Sequence, residues 1–186
     1  MIEEVKKSLE ILQKCKTILY PTDTVWGLGC DATDEEAVSK IYTIKKREES
    51  KSLVILVDGL EMLENYVKNI SAKVLEILKN SERPTTIIYN NPVGLAKNVT
   101  AKDNTVAIRV VKHRFCQNLI AAFGKPIVST SANISGNTTP NSFIEIDNSI
   151  LEGVDYVVNL DRDKIMNQPS RIIKVLEDKT LQIIRE

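Results

Sequence analysis

Histidine occurs once in the 186 residues, at His113, and cysteine three times, at Cys15, Cys30 and Cys116. The cysteines stand far apart and are odd in number. They give neither the paired spacing of a zinc site nor a disulfide framework, and a single histidine cannot complete a His/Cys metal set. Charge of one sign is also missing, with 25 Lys plus Arg against 25 Asp plus Glu. Bulk attraction to a nucleic-acid backbone is thereby excluded, so any RNA contact has to rest on a local patch. No stretch nears the ~20 apolar residues that a membrane helix needs. The opening MIEEVKKSLEILQKCK is mixed in charge and lacks the apolar core of a signal peptide, which makes the cytoplasm the expected location. Both glycine-rich phosphate loops, GxGxxG and GxxxxGK(S/T), are absent. A bound nucleotide must be held by other means.

What is there suits one globular domain over residues 1–186, with 42% apolar residues to build a core. Helical and extended patterns alternate along the chain. Ile2, Val5, Leu9 and Leu12 recur at helical spacing, and Thr17–Tyr20 reads as a short strand stopped by Pro21. Thr33 and Glu36 form a capping box ahead of a helix that buries Ala37, Val38, Ile41 and Tyr42. Leu53–Val57 is a buried strand. Helices are predicted over Leu60–Tyr66, Ser71–Lys79 and Phe115–Phe123. Strands are predicted over Thr86–Tyr89, Thr105–Val111, Ile127–Ser129 and Val154–Val158. The last residues, SRIIKVLEDKTLQIIRE, alternate as a hairpin around Glu177, Asp178 and Lys179. The pattern predicts an α/β fold with a mixed sheet and flanking helices.

Three polar segments interrupt these elements. The first, PTDTVWGLGCDA from Pro21 to Ala32, leaves a strand and makes a glycine-assisted turn into a helix. It reads either as a capped connection or as a pocket wall at a strand end, where α/β proteins place ligands. The second is Lys45-Lys46-Arg47 with Lys51. Basic residues at a helix C-terminus suit its dipole, and they also suit phosphates, with arginine supplying a planar fork. The third, Ser129-Thr130-Ser131-Ala132-Asn133-Ile134-Ser135-Gly136, crowds hydroxyls and an amide after a buried strand. A plain turn needs only one or two such residues.

These segments resemble, in order, the motifs of the YrdC-like threonylcarbamoyl-AMP synthase family. PTDTVWGLG is similar to that family's PT(D/E)TVYGLG opening. Lys45, Arg47 and Lys51-Ser52-Leu53 resemble its KxR and K-P-L stretch, and Thr105–Arg109 its TVAVR strand. STSANISG with Thr139-Pro140 resembles its SAN loop, while Ser170 and Arg185 match its closing serine and arginine. The resemblance runs from Pro21 to Arg185. It implies a twisted mixed sheet with flanking helices around a large concave cavity. It also implies a reaction: L-threonine and bicarbonate form a carbamate that attacks the α-phosphate of ATP, giving threonylcarbamoyl-AMP and pyrophosphate. A partner transferase complex then passes the group to the adenosine beside the anticodon of tRNAs that read ANN codons.

Carried over by position, Thr24, Arg109, Ser129 and Ser170 would line the threonine end. Arg47, Lys51, Thr105, Ser131, Asn133, Thr139 and Arg185 would hold ATP. Lys45, Arg47 and Lys51 would offset charge on the triphosphate as pyrophosphate leaves. Magnesium would arrive with ATP, with no protein side chain as metal ligand. The chain departs from the family's pattern at Glu82-Arg83-Pro84, where a glycine is replaced, at Leu56, where histidine is common, at Val110-Val111, and at Arg171. Two other readings use the same residues. One is a double-stranded RNA or tRNA binding module with Lys45, Lys46, Arg47, Lys51, Arg83, Arg109 and Arg171 on phosphates. The other is a paralogue that binds or hydrolyses nucleotides.

Overall fold

Residues 1–48, 53–166 and 168–186 are described by the computed structural model. The N-terminal part holds α1 (Ile2–Leu12), β1 (Ile18–Tyr20), β2 (Gly27–Gly29), α2 (Glu35–Lys45) and β3 (Val54–Val57). The middle holds α3 (Leu60–Tyr66), α4 (Ala72–Asn80), β4 (Thr85–Asn90), β5 (Thr105–Val110) and α5 (Arg114–Phe123). Then come β6 (Ile127–Val128), β7 (Thr130–Ser131), α6 (Asn148–Gly153), β8 (Tyr156–Val157), β9 (Arg171–Val175) and β10 (Leu181–Arg185).

The strands form two mixed sheets where the sequence pattern predicts one. Six strands run in the order β10-β9-β4-β5-β3-β6 and four in the order β7-β2-β1-β8. In the larger sheet β3 pairs in parallel with β5, and β4 with β9. Ile55, Leu56 and Val57 are fully buried, as an inner strand bounded on both sides requires. The sheets meet where Val128 N–H donates to the Cys30 carbonyl and Ile127 bridges Asp31. Past Ser129 the chain leaves the larger sheet and pairs with β2 of the smaller one.

Helix faces follow the apolar spacing, with two corrections. In α1 the buried line runs through Glu4, Ser8 and Leu12, while Ile2 is 86% exposed. Glu4 is tolerated there because its Oε2 accepts from the Tyr156 hydroxyl at 2.7 Å and the Asn159 N–H at 2.8 Å. The cap of α2 is Asp34, not Thr33. Asp34 accepts from Ala37 N–H at 2.8 Å, and Thr33 turns its hydroxyl to Asp31 at 2.6 Å. The inner face of α2 carries Ala37, Val38, Ile41 and Tyr42 and continues to Lys45. In α5, Phe115, Cys116, Leu119 and Ile120 are buried, and the helix stops at Gly124 in the left-handed region. Among the described residues no helix is long and apolar enough to cross a membrane.

Candidate active site

A cleft of about 540 Å³ opens where the two sheets meet. It is walled by Thr24, Val25 and Gly27 from the first polar segment and by Ser129, Thr130 and Ser131 from the third. Arg47 and Arg109 line it, as do Thr139, Asn141, Ser170 and Arg185. The residues expected at the threonine end, Thr24, Arg109, Ser129 and Ser170, thus share one concavity. So do Arg47, Ser131, Thr139 and Arg185, expected on ATP.

Local chemistry explains how the walls form. The Thr22 hydroxyl donates to the Val25 carbonyl at 2.7 Å and accepts from Thr24 N–H at 3.1 Å, which folds the segment after β1 into a tight hydroxyl turn. The Gly-Leu-Gly that follows is a strand, not the turn its glycines suggest. A Cβ on Gly27 would stand 2.9 Å from Ser129 Oγ, and one on Gly29 would stand 2.4 Å from the Val128 carbonyl oxygen. Gly29 lets neighbouring backbone approach closely, and Gly27 makes room for the Ser129 side chain. Ser129 N–H donates to the Val54 carbonyl and Ala132 N–H to that of Trp26, so the third segment is pinned to both sheets.

At one end of the cleft Arg109 is 4% exposed. Its Nη2 stands 3.1 Å from Asp23 Oδ1, and the other carboxylate oxygen of Asp23 accepts from Lys112 N–H at 3.1 Å. Arg109 Nε and Nη2 nevertheless have no aligned hydrogen-bond acceptor among the described residues. A buried guanidinium with unaligned N–H groups on a cleft wall suits a bidentate carboxylate. Nearby, the Arg185 Nε and Nη2 donate to the Ser170 carbonyl at 3.0 and 2.7 Å, and Ser170 Oγ lies 2.8 Å from Thr86 Oγ1. Burial, then the charges of Arg83 and Arg109, lower the Arg185 pKa from its ordinary value. The described lining carries three arginines and no carboxylate, so the cleft is built for anions.

Three described residues expected on ATP, Lys45, Asn133 and Thr105, do not line this cleft. Lys45 continues the apolar stripe of α2, so it points inward. Its Nζ donates to the Ser131 and Asn133 carbonyls at 2.5 and 2.7 Å, and its own carbonyl accepts from Ser135 N–H at 2.8 Å. It ties the third segment to the helix end. Burial, with the Arg47 charge behind it, pushes its ammonium down to about 7. Asn133 is taken up within the loop, accepting from Ser131 Oγ at 2.5 Å and donating to the Asn137 carbonyl at 2.7 Å. Thr105 is on the same strand as Arg109 but at the far end, roughly 13 Å away at a strand's rise. Its hydroxyl donates to Asp103 Oδ1 at 2.7 Å. Lys51 lies outside the described residues. After α2, Lys46 takes a left-handed conformation with φ 49°, and this turn separates inward Lys45 from Arg47 in the cleft.

Sequence reasoning gave no role to Asp23, although an acid beside Thr24 in a polar segment was a visible signal. Asn141 was missed because the chain around it carries no periodic pattern. Among the described residues no group of three or more His, Cys, Asp or Glu gathers for a metal. The RNA reading loses ground by placement. Lys45 and Arg109 are buried, and Arg83 and Arg171 lie 4.0 and 3.1 Å from Glu186.

Comparison with known proteins points the same way as the cleft. A putative threonylcarbamoyl-AMP synthase of Methanocaldococcus jannaschii is 37% identical, over 97% of this chain and 86% of the relative. The structure of P. abyssi Sua5 complexed with L-threonine matches at TM-score 0.86 and 26% identity, over 97% of this chain. This chain spans 53% of that Sua5 chain. E. coli YciO matches at TM-score 0.85 and 25% identity, over 100% of this chain and 90% of that one. The Sua5/YciO/YrdC family model, described as "Telomere recombination", matches residues 10–186. The chain belongs to the Sua5/YciO/YrdC family.

Proposed function

We propose that this protein is a nucleotidyltransferase, an L-threonylcarbamoyladenylate synthase. It takes L-threonine, bicarbonate and MgATP, and yields threonylcarbamoyl-AMP, pyrophosphate and water. The observation that carries the reading is the cleft itself. Buried Arg109 is presented at one end, and Arg47 and Arg185 lie on the same wall system. One relative is named as a putative synthase of this adenylate, and a structural neighbour is described as complexed with L-threonine.

The chain's own residues divide the work. Arg109 binds the threonine carboxylate through its unaligned N–H groups, and the hydroxyls of Thr24, Ser129 and Ser170 surround the amino acid. The threonine nitrogen forms a bond to the bicarbonate carbon, and water leaves. A carbamate oxygen then attacks the α-phosphorus, and the bond to the pyrophosphate oxygen breaks. Arg47 and Arg185, with Lys51, stabilise the charge that develops on the departing pyrophosphate. Thr139 donates to a phosphate oxygen, and Ser131 does so by turning its hydroxyl away from Asn133 Oδ1. Magnesium enters as part of the nucleotide substrate. No covalent enzyme intermediate is required, so positioning and electrostatics supply the acceleration. We propose that the product serves a transferase complex that modifies tRNA in the cytoplasm.

Pyrophosphate release separates this from nucleotide hydrolysis by a paralogue. With MgATP, threonine and bicarbonate the rate should be high, and omission of threonine should abolish it. Release that is indifferent to threonine would overturn the synthase reading.

A further inference from the structure

Among the described residues, the Asp23 carboxylate touches the cleft arginine Arg109 at buried depth. The Asp23 and Arg109 side chains are 9% and 5% exposed. An isolated guanidinium at that depth carries a large desolvation cost, and a carboxylate beside it offsets much of that cost. The contact is unusual in its alignment. Arg109 Nη2 is 3.1 Å from Asp23 Oδ1, yet among the described residues neither atom has an aligned hydrogen-bond partner, and neither does Arg109 Nε. Asp23 therefore holds Arg109 by charge and leaves its directional N–H groups for another acceptor.

The carboxylate is itself fixed. Asp23 Oδ2 accepts from the backbone N–H of Lys112, just beyond the strand that carries Arg109. Asp23 stands in the hydroxyl turn after β1, in the smaller sheet, and Arg109 and Lys112 belong to the β5 end of the larger one. One side chain thus locks the guanidinium in place and ties the two sheets beside the cleft.

We propose that Asp23 is a positioning residue that sets the orientation of Arg109 for a substrate carboxylate, and so sets selectivity for an amino acid over analogues that lack the carboxylate. The proposal rests on the synthase reading for the identity of that carboxylate. Asp23 does not line the cleft and acts through Arg109.

Asp23→Asn keeps the size and an acceptor for Lys112 N–H while removing the charge. Calorimetry should show L-threonine affinity reduced roughly tenfold, with ATP affinity within about twofold. L-threoninol, which has no carboxylate, should bind the variant and the wild type about equally. The threonine-to-threoninol ratio therefore falls. A second reading needs no substrate. The Arg109 Nε–H proton, followed by NMR in the free protein, should exchange faster with solvent in Asp23→Asn than in the wild type. An unchanged ratio, or unchanged Nε–H exchange, overturns the proposal. Equal losses for threonine, threoninol and ATP would show a structural residue only. If the wild type binds no threonine, the synthase reading fails, and the exchange measurement alone decides whether Asp23 holds Arg109. Should Asp23→Asn not fold, Asp23→Glu, which moves the charge by one methylene, carries the same two readings.

Discussion

Lys45 stands four residues after Ile41 and seven after Val38, and that spacing decides its fate. A residue on this stripe is buried whatever its charge, so the motif's first lysine becomes a tether for the third polar segment. The sequence contained that signal, but the charge of a KKR cluster obscured it. The consequence is a pH dependence. An unfolded lysine keeps its proton to roughly 10.4, whereas burial and the Arg47 charge bring Lys45 down to about 7. Between those values the unfolded chain binds more protons than the folded one. Stability at this site therefore rises as pH climbs above about 7 and levels off near the unfolded value. Below that window both states are protonated and the full cost of burying a charge remains. Deprotonation does not free the loop, because a neutral amine still has two N–H groups for the Ser131 and Asn133 carbonyls. Urea unfolding between pH 7.5 and 9.5 should show wild type gaining on Lys45→Met by up to ~1.4 kcal/mol per pH unit. A constant difference would contradict the burial cost. Two of the three cleft arginines, Arg47 and Arg109, should fail differently. Arg47→Ala should weaken ATP binding and slow adenylate formation. Arg109→Lys, chosen so that Asp23 keeps a cation beside it, should raise the threonine requirement and leave ATP binding alone. Loss of a charged hydrogen bond costs ~1.5–3 kcal/mol, or roughly ten- to 150-fold in affinity. Calorimetry with each ligand checks both. Losses shared equally between ligands in both variants would show that the arginines do not divide the substrates.

Element-scale features divide by how much apolar pattern surrounds them. The longer strands β3, β4, β5, β9 and β10 were legible because alternation or a continuous apolar run shows itself over their length. The short β1, β6 and β8 were legible too, inside the predicted Thr17–Tyr20, Ile127–Ser129 and Val154–Val158, because each sits in an apolar run, whereas β2 and β7 were not. Gly27-Leu28-Gly29 carries one side chain, so no period exists to read, and its glycines suggest a turn. Their real cause is crowding. A methyl on Gly29 would stand 2.6 Å from the Tyr20 ring as well as meeting Val128. Gly29→Ala should therefore cost about 1–3 kcal/mol through overpacking. At this chain length each kcal/mol moves the melting temperature by roughly 2–4 °C. Because β2 pairs with the Thr130–Ser131 strand, activity should fall with stability. An unchanged melting temperature would mean that β2 can move away without disturbing its neighbours.

At the scale of the molecule, the α/β class and the ordered polar segments were legible, and they carry the family assignment. The division into two sheets was not, because it depends on where the chain crosses at Ser129, and nothing in a run of hydroxyl residues marks a crossing. Thr105 shows the same limit from another side. Its motif was correctly seen as a strand, but a strand has two ends, and only Arg109 is at the cleft. The central claim is that this cleft joins threonine, bicarbonate and ATP into one adenylate. Mass spectrometry of the reaction with all three and magnesium tests it most directly. The account predicts a product with the mass of threonylcarbamoyl-AMP that disappears when any one of the three is omitted. Formation of AMP or ADP alone, unchanged when threonine is left out, would contradict it.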